Sequence, residues 1–194
     1  MKNKSSSGIL KICIPELFFF AFLLKKWYNI CVRKKYWQII LKVGEKSLIC
    51  YTDGACSGNG NQDATGGFGV VILDDDQKIL GTHAEGSVGT TNNREELKAI
   101  LWVLLTYGKT TQPIVYSDSA YAVNTLTSWM FGWAKRGWVK GDNKTPENLD
   151  LIQAYYKCWN DGYRIDLRKC AGHAGVEFNE MADDLAVEAK ERMK

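Results

Sequence analysis

The chain has 194 residues, 45% hydrophobic and 24% charged, the values of a globular protein with one ordinary domain and a real core. Its net charge of +3 is unevenly divided: residues 1–46 hold ten Lys/Arg and two Asp/Glu, whereas residues 47–194 hold fifteen and twenty. The main body is therefore mildly acidic, which excludes bulk charge as a source of nucleic-acid affinity and leaves that task to a local patch. The cysteines (Cys13, Cys31, Cys50, Cys56, Cys158 and Cys170) form no CxxC pair, and their spacing suggests neither a zinc site nor a disulfide framework. They read as reduced, mostly buried thiols of a cytoplasmic protein.

Residues 1–46 stand apart. Ile9 to Leu24 is strongly apolar, but Lys11, Pro15 and Glu16 interrupt it. The unbroken part, Leu17 to Leu24, is far shorter than the roughly 20 residues that a spanning helix needs. Lys25-Lys26-Trp27-Tyr28 follows, which is the wrong chemistry for a signal-peptide cleavage site. A basic-aromatic segment, Trp27 to Lys42, comes next. We read the whole stretch as a poorly ordered extension without a membrane partner.

From Ser47 the pattern is regular. Leu48-Ile49-Cys50-Tyr51 predicts a buried strand ending at Asp53, Gly66 to Leu73 a second, and Ile79 to Val88 a third. The short acidic turn Asp74-Asp75-Asp76 between the last two predicts an antiparallel hairpin. A helix follows, with Asn92 as its cap, Glu95 completing a box-like start, Leu97, Ile100, Leu101 and Leu104 at helical spacing, and Gly108 as its stop. Ile114 to Ser117 predicts a fourth strand ending at Asp118, and Ser119 caps a short helix. Trp129 to Lys144 interleaves tryptophans with basic residues. Thr145-Pro146 is expected to open a further helix to about Asn160, Arg164 to Cys170 a fifth strand, and Asn179 to Met193 a last helix. The element order predicts one mixed α/β sheet.

Four acids stand out by position. Asp53 and Asp118 lie at carboxyl ends of predicted strands, where open α/β sheets place their sites. Glu96 projects beside the apolar face of its helix, and Asp183 opens the last one. Carboxylates pushed toward one point repel, and burying them costs several kcal/mol each, on the order of the desolvation of a charged group, unless something compensates. Divalent cations are the natural compensation, and hard oxygen ligands without a Cys/His cluster favour Mg²⁺, with Mn²⁺ as a substitute, over Zn²⁺. This predicts a metal-dependent nuclease site.

The segments Tyr51-Thr52-Asp53-Gly54, Thr90-Thr91-Asn92-Asn93-Arg94-Glu95-Glu96-Leu97, Ser117-Asp118-Ser119 and Gly172-His173-Ala174-Gly175, followed by Asn179-Glu180-Met181-Ala182-Asp183, resemble type 1 ribonuclease H in order and spacing. Trp129 to Leu151 is similar to that family's basic protrusion and the helix after it. The resemblance covers about residues 47–192, so residues 47–194 are expected to form the catalytic domain. It implies the ribonuclease H-like fold: a five-stranded mixed sheet, its first three strands antiparallel and its last two parallel, flanked by helices.

It implies, further, hydrolysis of the RNA strand of RNA–DNA hybrids with two Mg²⁺ ions, leaving 5′-phosphate and 3′-hydroxyl ends. Asp53, Glu96, Asp118 and Asp183 would be the metal-binding carboxylates and His173 an assisting loop histidine. Asn92 and Asn93, with Glu96, would touch the minor groove and ribose, where the 2′-hydroxyl tells RNA from DNA. Asn59 and Thr91 would hold a DNA-strand phosphate, and Trp129, Trp133, Lys135, Arg136, Trp138 and Lys140 the duplex backbone. Ala120 departs from bacterial relatives, which often have a groove-contacting glutamine there. A monomer is expected, and no nucleotide cofactor, since Gly58-Asn59-Gly60 and Gly66-Gly67-Phe68-Gly69 match no nucleotide fingerprint. A catalytically inactive module for binding nucleic acid or a partner is the alternative. Such a domain should have lost an acid, and all four are present. His83 reads as a surface residue.

Overall fold

The computed structural model describes residues 47–172 and 175–194, so the expectation for residues 1–46 and the role of His173 lie outside the described residues. Strands β1 (Ile49–Ser57), β2 (Thr65–Leu73) and β3 (Ile79–Val88) form an antiparallel meander. Helix α1 (Asn92–Tyr107) then crosses to β4 (Ile114–Ser117), which pairs parallel with β1. A helical stretch follows as α2 (Ala120–Asn124), a π-helical turn (Thr125–Trp129) and α3 (Met130–Lys135). After a long loop come α4 (Leu149–Asn160), β5 (Asp166–Lys169), parallel to β4, and α5 (Glu177–Glu191). The sheet order is β3-β2-β1-β4-β5, the five-stranded mixed sheet that the resemblance implied.

Alternation decides what each face of the sheet carries. Ile49, Tyr51, Val71 and Leu73 turn toward α5 and pack on Ala182, Phe178, Met181 and Leu185. The opposite face meets α1. With both faces covered, β2 is buried from Gly66 to Leu73 and reads as a continuous apolar run instead of an alternating one. Close packing on the α5 side depends on Gly67: a Cβ there would stand 2.6 Å from Ala186 O and from Lys190 N.

Local boundaries differ from the predicted ones for identifiable reasons. The cap of α1 is Thr91, whose hydroxyl accepts from Arg94 N at 3.3 Å, and Asn92 lies inside the helix with its N–H donated to Asn59 Oδ1 at 2.9 Å. Glu95 makes no capping box; Oε1 of its fully buried carboxylate accepts from Ser87 Oγ, Thr90 Oγ1 and Lys98 Nζ. Helix α4 starts at Leu149, not at Thr145-Pro146, because Asn148 takes a left-handed conformation (φ 56°). Arg94 holds that corner by a paired contact with Asp150 at 2.9 and 2.6 Å and by Asn148 Oδ1 at 3.4 Å. Tertiary contact has overridden the local signal. His83, expected at the surface, is half-buried: its ring stacks on Trp102 at 4.1 Å, and Nε2 lies 2.7 Å from Glu85 Oε1.

Cys50 and Cys158 are buried and Cys56 and Cys170 half-buried, all as free thiols. No helix among the described residues is long and apolar enough to cross a membrane.

Candidate active site

Strand β4 stops at Ser117, opposite Thr52, while β1 continues to Ser57 paired with β2. From Asp53 onward, the β4-side edge of β1 is therefore bare. The predicted end of the first strand is real on that edge alone: on the other edge Asp53 is mid-strand, paired with Gly69. Asp118 is the first residue after β4, so both aspartates stand at the mouth of the same gap. Glu96 enters from the second turn of α1. Its approach depends on Gly54, since a Cβ there would lie 2.5 Å from Glu96 N and 2.8 Å from Glu95 C. One ligand oxygen each from Asp53, Glu96 and Asp118 fall within 4.8 Å of one another.

Asp183 lies in the second turn of α5, deeper than the helix opening the sequence suggests. It is outside that tight group of three but lines the same pocket of about 460 Å³, with Asn92, Ser119, Val187 and Lys190.

The electrostatics are those of crowded, desolvated carboxylates. Asp53 is 6% exposed and Glu96 4%. Burial first, then the Asp118 carboxylate, push Asp53 up to about 7, against the opposing pull of the Gly54 N–H that Oδ1 accepts at 2.7 Å. Burial, then Asp53 and Asp118, hold Glu96 well above the usual carboxylate range. Glu96 Oε2 is buried with no hydrogen-bond partner among the described residues. An orphaned carboxylate oxygen facing two more acids is costly as it stands and suits a divalent cation, and the all-oxygen donor set suits a hard one. A second acidic group, Asp74, Asp75 and Asp76, is accounted for as a turn: Asp74 Oδ1 accepts from Asp76 N at 3.1 Å and Lys78 N at 3.0 Å.

Asn179, two per cent exposed, supports Asp118 from α5. Its Nδ2 donates to Asp118 Oδ2 at 3.4 Å, and its Oδ1 accepts from Cys170 Sγ at 3.3 Å. Burial and then Asp118 push the Cys170 thiol up to about 11, so it remains a donor. This support escaped the sequence reading, although Asn179 precedes Asp183 by one helical turn on the same face.

Of the residues expected to hold nucleic acid, the pocket brings Asn92 beside the carboxylates. Asn59 joins it through the α1 N-terminus, while Thr91 uses its hydroxyl as the cap and Asn93 is half-buried beside it. The protrusion residues are not in the pocket lining. Trp129 is exposed, and Lys135 and Arg136 are exposed at the end of α3. Trp133 is 9% exposed and belongs to the core, where its backbone carbonyl accepts from Trp138 N at 2.7 Å; it has little surface left for a duplex. Trp138 is half-buried with its ring edge-on to Tyr156 at 5.3 Å, and Lys140 is half-buried in the following loop. Lys190 and Val187 in the pocket wall were not anticipated, though both repeat from Asp183 at helical spacing.

Comparison with known proteins agrees with this architecture. The family model described as RNase H matches residues 45–191. A ribonuclease H of Agrobacterium fabrum is 38% identical over 151 residues, 77% of this chain and 98% of that protein. One from Vibrio vulnificus is 39% identical over 146 residues, 75% of this chain and 90% of that protein. Among solved structures, LC9-RNase H1, a type 1 RNase H with the type 2 active-site motif, superposes with a TM-score of 0.65 at 32% identity, covering 77% of this chain and 74% of that one.

Proposed function

Because the chain belongs to the ribonuclease H family, we propose that its acidic pocket cuts the RNA strand of RNA–DNA hybrids, leaving 5′-phosphate and 3′-hydroxyl ends. The observation that carries this reading is the convergence of Asp53, Glu96 and Asp118 within 4.8 Å in a pocket that Asp183 also lines. An inactive module would have no use for four acids that destabilise one another.

Asp53, Glu96, Asp118 and Asp183 would hold two divalent cations, Mg²⁺ or in its place Mn²⁺. When bound, such ions supply activation of the attacking water and stabilisation of the leaving 3′ oxygen. The chain's own residues supply geometry and selection. Gly54 lets α1 bring Glu96 against Asp53, and Asn179 fixes the Asp118 carboxylate. Asn92 and Asn93 stand at the minor-groove side to read the ribose 2′-hydroxyl. Asn59 and Thr91, joined to the same helix start, hold a phosphate of the DNA strand. Trp129, Lys135, Arg136, Trp138 and Lys140 follow the duplex backbone.

His173 moves a proton or helps product leave, a task suited to its titration range. The described residue before it supports this reading: a Cβ on Gly172 would collide with Asp118 Oδ2, so Gly172 itself lies against that carboxylate. The catalytic unit is residues 47–194, acting as a monomer in the cytoplasm without a nucleotide cofactor. The four free thiols Cys50, Cys56, Cys158 and Cys170 suit a reducing compartment.

The deciding experiment is cleavage of an end-labelled hybrid beside matched duplex DNA and duplex RNA, with Mg²⁺ or with EDTA. We expect metal-dependent cutting of the hybrid's RNA strand alone, with products extendable from their 3′ ends. Cutting of duplex DNA at a comparable rate would overturn the assignment.

A further inference from the structure

Asp183, Val187 and Lys190 stand at i, i+4 and i+7 of α5 and so share one face of it. All three line the acidic pocket, and Lys190 is the only cationic side chain among the described residues of that lining. Two features keep it apart from the carboxylates it accompanies. Val187 lies between it and Asp183, and Lys190 starts roughly 10 Å further along the helix at 1.5 Å per residue. Helical side chains lean toward the helix N-terminus, so a lysine here leans back toward Asp183 without being adjacent to it.

The side chain of Lys190 is 14% exposed, so packing fixes its stem. Its recorded ion-pair contact is a 3.9 Å approach to Glu191 Oε1, too long for a hydrogen bond, and Glu191 already pairs with Lys194 at 2.6 Å. A pre-positioned ammonium with donors to spare thus stands in a pocket that must receive a polyanion. Four acids repel that polyanion, and a cation in the same wall would offset that repulsion at a neighbouring phosphate.

We propose that Lys190 is a phosphate-binding residue of this site, taking a non-scissile phosphate of the strand being cut, next to the one presented to the carboxylates. The inference rests on the hydrolysis of hybrids proposed above. It gives the pocket a charge order along α5: acids at Asp183, an apolar spacer at Val187, a phosphate anchor at Lys190. The anchor sets which phosphate lies at the acids, and it acts on substrate affinity instead of on the reacting bond.

The test uses the full chain with Lys190→Met, which keeps the apolar stem, and Lys190→Arg, which keeps the charge. Steady-state cleavage with Mg²⁺ is followed from about 50 to 200 mM salt, and equilibrium binding of hybrid is measured in EDTA. We expect Lys190→Met to raise KM about five- to tenfold with kcat within about twofold, and to weaken binding in EDTA equally. The slope of log kcat/KM against log salt should fall by about one, the signature of one lost phosphate contact, and Lys190→Arg should restore all three readouts. An unchanged KM and salt slope for Lys190→Met would overturn the proposal. So would a fall in kcat at constant KM, which would mean that Lys190 acts on the carboxylates. A wild-type chain that neither cuts nor binds hybrid removes the hydrolysis reading and this proposal with it. A wild-type chain that cuts, beside an unaltered Lys190→Met, removes this proposal alone.

Discussion

Asn179 donates its side-chain amide to Asp118 Oδ2 at 3.4 Å from inside α5, so a carboxylate at the end of β4 is aimed by a helix that arrives much later in the chain. Groups that orient metal ligands are typically worth about 10–100-fold in metal affinity or activity. Asn179→Ala should therefore lower cleavage by about tenfold and raise the Mg²⁺ concentration needed for half-maximal rate. A Mg²⁺ titration of hybrid cleavage, with thermal melts to confirm folding, checks this. An unaltered titration would leave Asn179 a packing residue.

Asp53→Asn separates catalysis from stability. The substitution removes one of the mutually repelling charges while keeping the side-chain shape and the Gly54 contact. Mg²⁺-dependent cleavage should fall to background, while the metal-free protein melts at a higher temperature, by a gain on the order of 1–3 kcal/mol. Hybrid cleavage and melts in EDTA read the two effects independently. Wild-type turnover by this variant would remove Asp53 from the site.

The raised Asp53 titration also fixes a direction for pH. Its folded value of about 7 lies above the ordinary 3.8, so between those limits the folded state binds more protons than the unfolded one. The contribution is fully present below about pH 4 and is lost as pH rises through 7. Glu96 shifts in the same direction and adds to it. In EDTA, wild-type stability should thus decline across this window relative to Asp53→Asn, and saturating Mg²⁺ should abolish much of the difference. Melting curves from pH 4.5 to 8, about the span of the shift, decide it. A difference that grows with pH in favour of wild type would contradict the arrangement of the acids.

The protrusion carries a salt-dependence prediction. Lys135 and Arg136 are exposed and Lys140 half-buried, away from the carboxylates. Replacing all three by Ala should raise KM and flatten its dependence on salt by about two to three in log–log slope, with kcat little changed. Initial rates at several salt concentrations measure it. An unchanged slope would mean that the duplex does not follow this surface.

Much of this architecture was legible in the chain. The sheet strands and the order of helices followed from apolar period and turn residues, and Asp53, Glu96, Asp118 and Asp183 were singled out by their predicted strand-end and helix-start positions and by the motifs around them. What was hidden is tertiary. Nothing local says that β1 runs past Asp53 with one edge bare, because that depends on where β4 stops. Asn148 could not be distinguished from a helical residue before Arg94 and Tyr121 were known to hold it. Trp133 and Trp129 look alike in sequence, and only packing separates the buried ring from the exposed one. Lys190 was visible as a helix cation, but the wall it helps to form requires β1 and α1 opposite it.

The acids come from β1, α1, the end of β4 and α5, the first and last regular elements described. Asp53 is paired into the middle of the sheet, whereas Asp183 reaches it only when α5 docks against Gly67 and its neighbours. A ribosome therefore has to release the chain through α5 before the four acids can line one pocket. Chains ended early by a premature stop codon lack the closing helix and carry no assembled pocket.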